Sequence, residues 1–158
     1  MRVLPLLLLV ALVGASEAKI FRKCEFAELL ERRYRLSRED IKNWVCIAEY
    51  ESSFNTGAIN RNRNRSVDYG IFQINNKYWC DSSYGKNACG IPCSDLMSDD
   101  ISAALRCAEA VRRDTEGFRG RGNGYTAWVA YNNKCKNRDL DRYMADCWSR
   151  PSNSIYPF

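Results

Sequence analysis

Residues 46–75, CIAEYESSFNTGAINRNRNRSVDYGIFQIN, contain the change of pattern that decides the fold. As far as Glu51, the apolar residues recur with the spacing of a helix that buries one face. From Asn55 onward, turn-forming glycine and asparagine separate short segments of β-branched and aromatic residues. The second pattern predicts a small antiparallel sheet with strands at residues 67–69 and 71–74. A helix followed by short strands indicates an α+β fold with segregated elements, and not a parallel α/β sheet.

Helical periodicity continues on both sides of this stretch. Upstream, one helix is predicted from Cys24 to Tyr34, and the next begins at Ser37, where Asp40 completes an imperfect capping box. Downstream, helical spacing returns at Ser98 and is expected to fail by Gly117, with an exposed glycine-rich loop over residues 114–124. Two further short helices are predicted at Tyr125–Tyr131 and Leu140–Trp148.

The first 18 residues are predicted to be a secretory signal peptide. Arg2 precedes an apolar run from Val3 to Val13 that is too short to span a bilayer comfortably, and small residues at Ser16 and Ala18 suit a cleavage site. Residues 19–148 are then expected to form one domain, and residues 149–158 a poorly ordered tail. The expected location is therefore extracellular.

Composition excludes several kinds of active site. The chain has eight cysteines and no histidine. An even number of cysteines behind a signal peptide predicts four disulfides, and the lack of a Cys-x-x-Cys pair and of histidine argues against a metal site. We therefore expect neither a metal nor a cofactor. Acid–base chemistry near neutral pH must come from carboxylates, lysine or tyrosine with shifted pKa values, because no histidine-based triad is possible.

Two carboxylates stand out beside the change of pattern. Glu51 ends an apolar-striped helix, where burial raises the pKa of a carboxyl group, whereas Asp68 lies among polar neighbours that can stabilise its anion. Glycoside cleavage needs such a pair, one carboxyl protonated and the other ionised. Spacing alone does not decide the matter, because two acids this far apart in a sequence are more often unrelated surface charges.

Several longer motifs follow one another along the chain. They are Lys19-Ile-Phe with Cys24, Asn43-Trp-Val-Cys46, Glu51-Ser, Phe54-Asn-Thr56, Asp68-Tyr-Gly-Ile, Gln73-Ile-Asn75, Ile91-Pro-Cys93-Ser94, Ala127-Trp-Val-Ala130 and Asn133-Lys-Cys135. Together they resemble the chicken-type (c-type) lysozymes, glycoside hydrolase family 22, over essentially all of residues 19–148. Segment lengths around the first two helices and the missing histidines favour an arthropod member.

The resemblance implies a helical lobe and a small β lobe with a cleft between them. It also implies retaining, antibacterial hydrolysis of the β-1,4 bonds between N-acetylmuramic acid and N-acetylglucosamine. Glu51 resembles the general acid, Asp68 the nucleophile or ion-stabilising carboxylate, and Trp128 the tryptophan that keeps the acid dry; lysozymes are themselves the standard example of such a pair. The residues that resemble the lining of the sugar cleft are Asn62, Gln73, Asn75, Tyr78, Trp79 and Ala127.

The resemblance further implies a set of disulfides and partners. The implied pairs are Cys24–Cys147, Cys46–Cys135, Cys80–Cys93 and Cys89–Cys107, a choice that spacing alone leaves open. The expected partners are peptidoglycan or chitooligosaccharide and the bacterial wall surface, which suits the net charge of +5, with no nucleic acid and no membrane insertion. The protein is expected to be a monomer. A non-catalytic sugar-binding or regulatory relative is the alternative, but such relatives generally lose a catalytic acid.

Two departures from the family pattern stand out. The segment between Cys107 and Trp128 is longer than usual and rich in glycine and arginine. On an exposed loop, Arg119 and Arg121 are expected to reach anionic groups of the wall, with an ordinary solvated loop as the alternative. Where calcium-binding relatives carry carboxylates, this chain has Ser98, Ala103 and Ala104, so no calcium site is expected.

Overall fold

The computed structural model describes residues 18–81 and 86–149. The predicted signal peptide up to residue 17 and the tail from residue 150 onward lie outside the described residues. Within those residues, every helix is too short or too polar to cross a membrane.

Two helices form the first half of the helical lobe. Helix α1 spans Lys23–Arg32, and α2 spans Arg38–Ser52. The capping prediction is confirmed, because the Ser37 hydroxyl accepts a hydrogen bond from the Asp40 amide at 3.1 Å. Helix α2 ends where Ser53 takes a left-handed conformation, with φ of 51°. Its buried side chains lie between Ile41 and Ala48 and include Trp44, so the last turn of α2 lies at the edge of the core.

A three-stranded antiparallel sheet follows, with the order β1 (Ile59–Arg61), β2 (Val67–Tyr69) and β3 (Ile74–Asn75). The register pairs Asp68 with Asn60 on one side and with Asn75 on the other. This sheet places one carboxylate between two amide-bearing strands.

The strand predicted at Ile71–Ile74 is wrong except for its last residue. Residues 70–73 form a turn, in which Gly70 and Gln73 have φ of 75° and 49°. Ile71 and Phe72 are adjacent and both fully buried, whereas a strand sends neighbouring side chains to opposite faces. Residues 71 and 72 therefore pack into the core from a turn and do not lengthen the sheet. Gly70 is required there, because an added Cβ would collide with the Leu96 carbonyl oxygen.

The helix predicted from Ser98 begins and ends later than expected. Helix α3 spans Ser102–Arg119, because the Asp100 carboxylate accepts the Ser102 amide at 2.9 Å and so lies outside the helix. The loop predicted for residues 114–124 is wrong over its first six residues, which are helical. Gly117 does not stop the helix, since a glycine inside a helix costs only about 1 kcal/mol. The helix ends at Gly120, which has φ of 92°.

The remaining segments complete the helical lobe. Leu140–Trp148 is helical as predicted and forms α4. In place of the helix predicted at Tyr125–Tyr131, there are a 3₁₀ turn at Gly124–Ala127 and a π-helical turn at Tyr131–Cys135. A further 3₁₀ turn, Cys93–Met97, lies in the long loop after the sheet.

Four disulfides connect these elements. The structure contains the pairs that the family resemblance implies, namely Cys24–Cys147, Cys46–Cys135, Cys80–Cys93 and Cys89–Cys107. The first two tie α1 to the end of α4 and α2 to the π-helical turn. The last two fix the loop after the sheet, which has few buried side chains of its own.

Candidate active site

Glu51 lies in the last turn of α2, half-buried at the edge of the aromatic core. Trp128 packs nearby in an edge-to-face contact with Trp44, their ring centroids 5.1 Å apart, and its indole N–H donates to the Phe72 carbonyl at 2.9 Å. This bond fixes a large apolar ring in the wall that surrounds the carboxyl group.

Burial raises the pKa of the Glu51 carboxyl above its ordinary value, and the negative charge of Asp68 raises it further. The Ala130 amide donates to Glu51 Oε1 over 3.4 Å, which opposes the shift but does not cancel it. The carboxyl group is therefore suited to hold a proton at a pH where an exposed glutamate would have lost it.

Asp68 lies on β2 in a polar setting. Its Oδ2 accepts a hydrogen bond from the Asn62 side-chain amide at 2.9 Å, and its Oδ1 accepts one from Asn75 at 2.7 Å. Each oxygen thus faces a donor, and the carboxylate is held in one orientation by Asn62, just after β1, and by Asn75 on β3.

The buried hydroxyl of Ser66 organises both of these amides. It accepts from the Asn62 amide at 3.1 Å and from the Asn75 amide at 2.9 Å, and it donates to Asn64 Oδ1 at 2.7 Å. Ser66 is one of the polar neighbours of Asp68 in the sequence, and sequence analysis did not predict it as a site residue. The missed signal is the alternation of polar residues at every second position, Asn60, Asn62, Asn64, Ser66 and Asp68, which places them on one side of the hairpin.

A cleft of about 310 Å³ lies between the two carboxylates. Most of the residues predicted for the site line it together: Glu51, Asp68, Gln73, Asn75, Trp79, Ala127 and Trp128. Sequence reasoning missed three apolar members of the lining, Ile74, Val111 and Val129. Val111 could have been suspected only as a core residue of α3, because its spacing is that of a buried helix face.

Three predicted residues contribute in other ways. Asn62 lies outside the lining and contacts Asp68 instead. Tyr78, which also lies outside it, is partly exposed and packs edge-to-face on Trp79 with centroids 4.8 Å apart. The Gln73 side-chain amide donates to the carbonyls of Ala58 and Gly70, at 3.1 and 2.9 Å, so this residue also braces the turn that precedes β3.

A group with the composition of a metal site lies elsewhere in the described part of the chain. It consists of Cys24, Asp146 and Cys147. The two cysteines share a disulfide, so their sulfurs are not thiolate ligands, and the Asp146 carboxylate pairs with the Lys23 ammonium at 2.6 Å.

Arg119 does not lie on a loop, contrary to the sequence prediction. It is the last residue of α3, and its guanidinium donates to the Thr126 carbonyl at 2.9 Å and hydroxyl at 3.1 Å. Thr126 immediately precedes Ala127 and Trp128 in the cleft wall. Arg121 follows in the turn between Gly120 and Asn123 and remains exposed.

Comparison with known proteins agrees with this geometry. Residues 19–147 match the C-type lysozyme/alpha-lactalbumin family. The chain belongs to this family. It is 80% identical to a protein named Lysozyme C from Penaeus merguiensis, over the full length of both chains. It is 46% identical to Lysozyme C-1 from Mus musculus, over 93% of this chain and 99% of that protein.

A solved structure confirms the fold. A lysozyme from Litopenaeus vannamei superposes with a TM-score of 0.83 at 81% identity, covering 84% of this chain and all of that one. Both the helical lobe with its small antiparallel sheet and the expectation of an arthropod member are thereby confirmed. The protein is a glycoside hydrolase of the lysozyme class, with muramidase activity.

Proposed function

We propose that the cleft cleaves the β-1,4 bond between N-acetylmuramic acid and N-acetylglucosamine in bacterial peptidoglycan, with Glu51 as the general acid and Asp68 as its partner carboxylate. The observation that carries the proposal is the contrast across the cleft. One carboxyl group is half-buried with a raised pKa, and the other accepts two amide hydrogen bonds.

Each carboxyl group has a separate step. Glu51 donates its proton to the glycosidic oxygen, which turns a poor leaving group into a neutral hydroxyl. Asp68 faces the positive charge that develops at the anomeric carbon and either stabilises it or forms a covalent glycosyl intermediate. A water molecule then attacks the same centre, and Glu51, now ionised, accepts the proton of that water. The result is retention of configuration.

The other proposed site residues either contact the sugar or support the two carboxyl groups. The rings of Trp79 and Tyr78 offer flat faces for pyranose rings, and Trp128 excludes water from the Glu51 carboxyl. Asn62 and Asn75 orient Asp68. Gln73 and Ala127 complete the lining of the cleft.

The setting in which the enzyme works is part of the proposal. Four disulfides suit an oxidising, extracellular compartment, and a net charge of +5 favours an anionic bacterial wall. We propose that the chain is cut after Ala18 and acts as a secreted monomer.

Replacement of the acid tests the assignment. Glu51→Gln keeps the size of the side chain but cannot protonate the leaving group, and it should lower the release of reducing ends from purified peptidoglycan by about 10²- to 10⁴-fold or more. The matched control is Glu49→Gln on the same helical turn. Glu49 accepts a bond from the Tyr143 hydroxyl outside the cleft, and a glutamine oxygen can still accept it. Parental activity in Glu51→Gln would show that the acid is wrongly assigned.

A further inference from the structure

The last two turns of α3, Arg112–Arg119, are here called the α3 extension. They fall within the stretch that is longer than usual for the family, and the structure shows a fixed element instead of a loop. Arg112 binds Glu109 at 2.9 Å and Glu116 at 3.4 Å, while the other Glu109 oxygen accepts from the Trp44 indole at 2.9 Å. The base of the extension is therefore connected to the aromatic core beneath the cleft.

One face of the extension packs against the cleft wall. Gly124 lies so close to this face that an added Cβ would collide with the side chain and carbonyl of Arg112. At the far end, the Arg119 guanidinium holds Thr126 through two hydrogen bonds. Contacts at both ends fix the extension relative to Ala127 and Trp128.

The neighbouring face of the extension carries Phe118. Successive residues of an α-helix turn by about 100°, so Phe118 lies on nearly the same face as Val111, about 10 Å further along the axis. Val111 lines the catalytic cleft. Phe118 is 88% exposed, the largest fraction among the exposed large hydrophobic residues of the described chain. Isolated exposed apolar side chains are common, but this one continues the cleft-lining face on a rigid support.

We propose that Phe118 forms an outer saccharide subsite, in which its ring stacks on a sugar of the glycan strand beyond the catalytic cleft, and that Arg119 is its positioning residue. The proposal rests on the function proposed above, because it extends the same cleft. The apolar C–H face of a pyranose fits an aromatic ring that offers no polar partner. Fixing the ring before substrate arrives lowers the entropic cost of binding.

Long and short substrates separate this role from the chemical step. The quantity measured is the ratio of kcat/KM for chitohexaose to kcat/KM for chitotriose, because only a long strand can reach a distant ring. Phe118→Ala should lower this ratio about fivefold to tenfold, the size expected for the loss of one stacking contact. Phe118→Tyr should retain it, since the ring is kept. Ile20→Ala is the matched control, because Ile20 is 65% exposed and absent from the cleft lining.

The positioning role is tested by charge-matched variants. Arg119→Gln should lower the same ratio, while Arg119→Lys, which keeps a donor and the charge, should recover part of it. Arg121→Gln, which removes an equal charge from the adjacent turn, is the control and should leave the ratio at the parental value. An equal decrease in Arg121→Gln would show that charge and not placement is responsible, and would overturn the role of Arg119.

Two outcomes would overturn the subsite itself. One is a ratio unchanged in Phe118→Ala while Glu51→Gln is inactive, which leaves the catalytic assignment standing and removes only this inference. The other is an unchanged ratio combined with weaker binding of Phe118→Ala to vesicles of anionic phospholipid, which would assign the ring to a lipid surface. Activity in Glu51→Gln, by contrast, would count against the proposed function whatever Phe118 does.

Discussion

The two walls of the cleft hold the same functional group by different means. On the helical side, Glu51 ends a 15-residue helix whose inner face is buried. On the sheet side, Asp68 lies at the centre of a three-residue strand and is held by amides from both flanks. One carboxyl group is controlled by removal of water and the other by supplied hydrogen bonds. The same functional group is thus placed in two different environments, which suits the two roles proposed above.

The difference also predicts how each wall fails. On the helical side, here called the dry wall, many side chains together bury the Glu51 carboxyl. The dry wall should therefore tolerate the loss of a single contact. On the sheet side, here called the polar wall, Asp68 is held by a few hydrogen bonds that depend on the buried Ser66 hydroxyl. Single polar substitutions on this wall should therefore lower the rate of the chemical step. The following variants test this contrast.

Loss of the charge on the polar wall should have the largest effect. In the proposed mechanism, Asp68→Asn removes the anion that faces the oxocarbenium-like centre, so kcat/KM on peptidoglycan should fall at least about a hundredfold. Because the Asp68 charge contributes to the raised pKa of Glu51, the basic limb of the residual activity–pH profile should move to lower pH. Asp95→Asn, an exposed acid outside the cleft lining, is the control. An unmoved basic limb would mean that the two carboxyl groups do not interact.

The same contrast explains how far the sequence predicts the structure. Helix α2 and its Ser37 cap depend on neighbours within one or two turns, and the pattern predicted them. The strand predicted at Ile71–Ile74 was wrong because the core buries two adjacent apolar residues in a turn. The stop predicted at Gly117 was wrong because contacts with Gly124 and Thr126 hold the last two turns of α3 in place.

The site itself shows the same division between local and tertiary information. Periodicity suggested that Glu51 is partly buried, but it could not bring Trp128, far along the chain, to the same cleft. That placement came from the family resemblance. Alternating polar residues in the sequence include Asn62, one of the two donors to Asp68, but not Asn75. Only the observed register shows that Asn60 and Asn75 flank Asp68.

A smaller effect is expected when the polar wall loses its buried hydroxyl. Ser66→Ala takes an acceptor from the Asn62 and Asn75 amides, each of which can then turn away from Asp68. Two lost hydrogen bonds of about 1 kcal/mol each correspond to a decrease in kcat of up to about 30-fold, with KM changed much less. Steady-state kinetics on a soluble chitooligosaccharide would separate the two constants. Ser94→Ala, at an exposed serine, controls for the substitution itself. A change confined to KM would show that Ser66 shapes sugar binding and not the carboxylate.

The smallest expected effect concerns Glu51 on the dry wall, where the pKa shift should make the free energy of unfolding depend on pH. Burial raises the pKa of Glu51 above its ordinary value of 4.5, so the folded protein holds a proton there that the unfolded chain has lost. Between these two pKa values the folded state binds more protons, and the free energy of unfolding therefore falls as pH rises. The stabilising contribution is complete below the unfolded pKa and is lost through the folded one.

The glutamine in Glu51→Gln cannot titrate, so the free energy of unfolding of this variant should not fall with rising pH for this reason. Its Tm should exceed that of the parent near neutral pH, and the gap should narrow as pH falls toward about 4.5 and stay constant below it, where the parent is protonated in both states. Differential scanning calorimetry across that range measures the gap, and Glu49→Gln reports the effect of removing a negative charge from the same helix. Glu51→Gln is expected to be inactive, so a higher Tm for this variant would show that the proposed acid is kept at a cost to stability. Parallel Tm curves for the parent and Glu51→Gln would mean that Glu51 is as well solvated in the folded protein as in the unfolded chain, and the distinction between a dry and a polar wall would then fail.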